Sequence, residues 1–131
     1  MAVQDEPFDI NLTGETSGEL WHGTFRAKPA LSHRDVLIAD AKRRELLGTQ
    51  NGNAPSPRAA SIAEVIGELT ARLTLTPKWF LEANYGLELV DDNVLTEVYQ
   101  KTMEVELKAR KAKAEKSEAD RAELAKEAEK K

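Results

Sequence analysis

The chain contains no cysteine, which excludes a disulfide framework, a thiolate metal site and a thiol nucleophile. It has two histidines, and aromatic residues make up only 5% of it. No apolar run approaches the roughly 18–20 residues that a membrane span requires. The N-terminus, with Asp5 and Glu6 and no apolar stretch, lacks the core of a signal peptide. The expectation is a soluble protein that stays inside a cell or a particle. The C-terminal end lacks the most: from Lys108 onward there is no aromatic residue, no β-branched aliphatic and one large apolar side chain, Leu124. Such a segment cannot bury a core of its own.

What is present divides unevenly. A length of 131 residues allows one domain plus an appendage. With 40% hydrophobic and 32% charged residues, the part before Lys108 falls in the globular range. The tail has nine basic and six acidic residues, so a net charge of -4 conceals a tail of +3 and a head of -7. An acidic head disfavours attachment to a nucleic-acid backbone, and the tail mixes both signs too evenly for a basic arm.

Phe8, Ile10 and Leu12 alternate with polar neighbours, and Leu20, Trp21, Gly23, Phe25 and Ala27 form a second run beyond a Gly- and Ser-rich turn. Two short runs flanking a turn predict a β-hairpin. A lone hairpin is barely stable in water, so Trp21 and Phe25 must cover something, which makes this arm a candidate docking element. Ser32 followed by Asp35 predicts a capping box and a helix from about His33 to Leu47, stopped by Gly48. Thr49 to Pro55 contains only turn formers and reads as an exposed loop. Ser56-Pro57 starts a second helix, with Ile62, Val65, Ile66, Leu69 and Leu73 as its apolar stripe. Thr76-Pro77 starts a short third helix carrying Trp79, Phe80 and Leu81, ending near Gly86. Asp91 and Asp92 open the last helix, with Val94, Leu95, Val98, Tyr99, Met103 and Val105 turned inward. Beyond Leu107 the stripe vanishes while helix propensity persists, and Glu104–Lys108, Glu106–Arg110 and Glu127–Lys131 have the favourable i, i+4 order. The last helix is therefore expected to run past the body into solvent. No repeat is visible, and the tail lacks the sustained a and d positions of a homotypic coiled coil.

No constellation points to catalysis or to a cofactor. His22 and His33 flank Pro29 without the further ligands of a zinc site. Asp91-Asp92-Asn93 lacks the glycine and terminal glutamate of an EF-hand, and an N-cap with a helix-dipole contribution explains the acids. Gly14 to Gly18 has neither the spacing nor the lysine of a P-loop. No serine sits in a nucleophile elbow, and no acid pair is set in an apolar run. Lys42, Arg43 and Arg44 form the densest basic patch of the head, flanked by Asp40 and Glu45, and read as a salt-bridged helical face or a site for an acidic protein partner. Trp79 and Phe80 are expected to close the core between the second and fourth helices, with a binding hot spot as the other role open to them.

Taken in order, Gly23-Thr24-Phe25, Leu31-Ser32 to Asp40, Arg43 to Gly48, Pro77-Lys78-Trp79-Phe80 and Gly86 to Val94 resemble small proteins encoded in the structural gene blocks of tailed bacteriophages, among them tail-assembly-chaperone-like and minor virion proteins. The likeness covers most of Trp21 to Val105 and none of the tail. It implies a non-enzymatic protein working in many copies against other phage structural proteins, in the virion or in the cytoplasm of the infected host. The alternative is a small regulatory adaptor binding a host or phage enzyme through Trp21, Phe25 and the Lys42, Arg43, Arg44 face.

The expected fold is mainly α with a short N-terminal β-hairpin. Residues 1–30 are the docking arm, 31–107 a helical head, and 108–131 a charged helical or disordered tail. The expected protein-binding residues are Trp21, Phe25, Lys42, Arg43 and Arg44, with no catalytic, metal or cofactor residues.

Overall fold

A computed structural model describes residues 5–48 and 54–129. The first two elements are strands β1 (Glu6–Thr13) and β2 (Leu20–Ala27), paired antiparallel from Glu6↔Ala27 to Thr13↔Leu20. Their alternation places Phe8, Ile10 and Leu12 across from Phe25, Gly23 and Trp21, so these residues share one face, while Leu20 falls on the other and is exposed. Helix α1 (His33–Leu47) begins as expected: Ser32 Oγ accepts from the Asp35 amide, and the Asp35 side chain accepts from the Ser32 amide. Gly48, at a φ of 67°, ends it. Of the loop expected at Thr49 to Pro55, residues 49–53 lie outside the described residues.

Helix α2 (Pro57–Arg72) is capped by Ser56 with Pro at its first position. Ile66 and Leu69 of its stripe are fully buried and Val65 is half-buried, while Ile62 at the outer end is 40% exposed. The stripe does not run to Leu73 as a helix. Leu73 turns extended, and Leu73–Leu75 forms β3 on the other side of β2, with a register shift at Arg26 and Ala27. The reason is local and tertiary together. Pro77 disfavours helix in the residue before it, and the free edge of β2 offers backbone partners to an alternating Leu-Thr-Leu segment. The sheet order is β1-β2-β3.

Helix α3 (Lys78–Glu82) supplies Phe80 to the core, and α4 (Asp92–Glu129) closes it with Val94, Val98 and Val105. Phe25 lies at the centre of an aromatic cluster, stacked on Phe8 with centroids 5.2 Å apart and edge-on to Phe80 at 5.1 Å and Trp79 at 5.9 Å. Ile10, Phe25 and Ala27 share one core with Leu69, Leu73, Phe80, Val98 and Val105. This corrects the division at residue 30: the hairpin is not an arm set apart from a helical head but one wall of its core, and burying its apolar face is what keeps two short strands stable.

Helix α1 sits further out. It packs on α2, where Gly67 lets the helices close so tightly that a β-carbon there would meet the Ala39 carbonyl at 2.6 Å. Only Asp35 and Ala39 of α1 are buried. α4 is a 38-residue helix, about 57 Å long, that continues beyond the core. All side chains of residues 110–128 are exposed, so the tail is a helical rod outside the core. Among the described residues no helix is long and apolar enough to cross a membrane.

Candidate functional site

Two of the five expected binding residues lie on β2 and three on α1, and they differ sharply in what they offer a partner. Phe25 has no exposed surface. Its expected docking role is therefore corrected to a core one: a partner cannot reach the ring without opening the aromatic cluster. Trp21 is half-buried at the hairpin's turn end, tilted against Trp79 with centroids 4.8 Å apart. The Trp79 indole donates to the His22 carbonyl at 2.8 Å, which ties α3 to β2.

The most highly built polar group is Asp91, which is fully buried. Its carboxylate accepts four hydrogen bonds: the amides of Thr16 and Ser17 at 2.8 Å, the Ser17 hydroxyl at 2.6 Å and the Trp21 indole Nε1–H at 2.9 Å. These bonds, led by those from Ser17, hold its pKa at about 2, well below the ordinary carboxylate value of 3.8. Asn93 completes the clasp by accepting from the Glu15 amide at 3.0 Å and donating to the Thr13 carbonyl at 2.9 Å. Gly14 is required at this contact, since a β-carbon there would lie 2.2 Å from the Asp91 carboxylate. Reading Asp91 from sequence as a helix cap captured its backbone, whose carbonyl accepts from the Val94 and Leu95 amides, and missed its side chain. The Gly14–Gly18 turn was the available signal, because a tight turn leaves amides that need an acceptor.

On α1 the basic triad forms ion pairs within its own helix. Arg43 and Arg44 both reach Asp40, at 2.7 and 2.8 Å, and Lys42 lies 3.5 Å from Glu45. Arg44 remains largely exposed, whereas Lys42 and Arg43 are partly covered. Exposed pairs of this kind contribute little to stability, so the triad is a solvated face with its charge partly balanced. Its element packs on α2.

Sequence reasoning also missed a buried ionic group. Arg72, at the end of α2, is only 5% exposed, with Nε 2.8 Å from Glu68 and Nη1 3.1 Å from Glu106 on α4. The Glu106 contact is an ion pair without hydrogen-bond alignment at Nη1. Glu106 also receives Arg110 at 3.1 Å, so alternating charges link α2 to the base of the tail. Beside it, Pro7, Phe8 and Pro29 face Val105, Lys108 and Ala112 across a groove of about 500 Å³ between β1 and α4.

His22 and His33 are both exposed, and among the described residues no group of three or more His, Asp or Glu is arranged to hold a metal ion. No family model, curated protein or solved structure matches the chain.

Proposed function

We propose that this chain is a non-enzymatic structural or assembly protein of a tailed bacteriophage, acting in many copies on other virion subunits. The observation that carries the reading is α4: residues 110–128 form an exposed helix of alternating charge on a small folded head. A rod with no core to serve is available to neighbouring subunits, and its mixed charges suit side-by-side pairing over nucleic-acid binding. The resemblance of Trp21 to Val105 to phage structural-block proteins supports the same class. In this reading the clasp at Asp91 and the ionic link at Arg72 fix the head, so that the rod leaves it in a defined direction.

Mass spectrometry of purified particles and of infected cells tests the proposal. A stoichiometric particle component is a virion protein. A chain abundant in cells and missing from particles, with assembly failing in its absence, is an assembly chaperone. Normal particle yield and composition without the gene would overturn the proposal and favour the regulatory adaptor.

A further inference from the structure

Helix α1 leaves three of its larger apolar side chains in water. Val36 is 52%, Leu37 70% and Ile38 42% exposed; Val36 lies toward α2 beside Ala39 and Glu68, whereas Leu37 and Ile38 stand away from the face that buries Asp35 and Ala39. Arg34, Leu37, Ile38, Ala41 and Glu45 are all exposed, and at helical spacing they fall within an arc of about 100°. The outer face of α1 is thus a short apolar strip with a cation at its N-terminal end and an anion at its C-terminal end. Other exposed apolar residues, such as Leu20, Leu81 and Leu124, stand on separate elements.

We propose that this face is a homotypic contact, on which α1 of a second copy of the chain packs antiparallel. The order of the residues carries the choice of occupant. A two-fold axis midway between Ile38 and Ala41 sets Ile38 against Ala41 of the second copy and, in the same register, Arg34 against Glu45. The ends of the strip therefore pair twice, with opposite charges, in an isologous interface. Arg34 has no ion-pair partner among the described residues, and the side chain of Glu45 is 69% exposed with only Lys42 near it. Arg34 can reach a neighbour directly, and Glu45 can do so by exchanging its exposed intrahelical contact with Lys42. A single pair of four-turn helices buries less than a standard interface, so the dimer is expected to be weak, with dissociation in the micromolar range. This contact goes beyond the proposed phage role and does not depend on it: it is read on the purified chain, whether or not that chain enters particles.

Sedimentation equilibrium of the full chain, with circular dichroism as the check on folding, provides the test. The parent should dimerise reversibly. Arg34→Glu and Glu45→Arg should each weaken the dimer about tenfold, because each places like charges at both ends. Mixing the two variants should restore parental association, since each then meets its opposite across the interface. Leu37→Glu should leave a monomer. A parent that stays monomeric at several hundred micromolar, association untouched by these variants, or a mixture no tighter than its components would each overturn the proposal. The first of these outcomes would leave the face to a different protein.

Discussion

The indole Nε1–H of Trp21 donates to the carboxylate of Asp91 at 2.9 Å across 70 residues of chain. That bond joins the hairpin's second strand to the start of the long helix, and the Ser17 and Thr16 bonds to the same carboxylate lock the turn in place. The head is organised around this acceptor as well as around its apolar core.

Asp91→Asn should therefore destabilise the head more than its small change in size suggests. The amide supplies one acceptor oxygen where the carboxylate has two, and its NH2 group faces the donors of Ser17 and Trp21. Thermal melting should show a clear fall in the midpoint, together with altered tryptophan fluorescence as Trp21 loses its partner. A variant with parental melting and parental fluorescence would contradict the clasp.

Acid should loosen the same contact. Asp91 and Asp35 both have pKa values lowered to about 2 from 3.8, Asp91 chiefly by the Ser17 hydroxyl and Asp35 chiefly by Lys28. A depressed carboxylate contributes stability that is fully present above its unfolded value and is lost as pH falls through its folded one. Urea midpoints should thus be flat above about pH 5 and decline from near pH 4 towards pH 2. In Asp91→Asn the decline should be shallower.

In the core, Leu69→Ala and Phe25→Ala each remove a fully buried side chain, at an expected cost of about 2–5 and 3–5 kcal/mol respectively. Ile62→Ala, at a 40% exposed position, should cost well under half of the Leu69 change. Chemical denaturation gives all three values, and equal effects at positions 62 and 69 would overturn the assignment of the stripe. A Phe25→Ala variant that melts like the parent would return the ring to the docking role expected from sequence.

Arg72→Met leaves Glu68 and Glu106 without the cation between them. Breaking a buried pair from one side costs about 3–5 kcal/mol, and the lower end applies because Glu68 keeps partial access to water. The double variant Arg72→Met, Glu106→Gln should recover part of the loss. A double-mutant cycle without coupling would show that the ionic link does not hold α2 to α4.

Deleting residues 112–131 should leave the head folded. The removed segment is exposed throughout its described length and contains one large apolar residue, Leu124. The melting midpoint should stay close to the parent's, while the helical signal falls in proportion to the helix removed. Non-cooperative melting of the truncated chain would mean that the tail supports the body.

Wherever the cause is local, the elements could be read without a fold. Ser32 with Asp35 and Ser56 with Pro57 set two helix starts because caps act within one turn, and both hairpin strands followed from alternation around a glycine-bearing turn. The long α4 was legible for the same reason: its helix-forming residues favour continuation even where no core follows. Leu73 was read as the end of a stripe and the strand Leu73–Leu75 was missed, because a three-residue strand exists only by virtue of the edge it joins. The five expected binding residues were chosen by type, and type does not report burial: Phe25 went to the core and Trp21 to the clasp.

The sequence by itself thus determined the helical class, the hairpin, the caps and the charged tail, since each depends on residues within a few positions of one another. Only the tertiary structure decided that the hairpin is a wall of the core, that Asp91 serves a turn 74 residues away, that Arg72 is buried between two carboxylates, and that α1 turns Leu37 and Ile38 outward. Those outcomes depend on which surfaces meet. A carboxylate, a guanidinium or a leucine has the same local propensity whether its partner is water or a distant segment, so the meeting of surfaces assigns the partner.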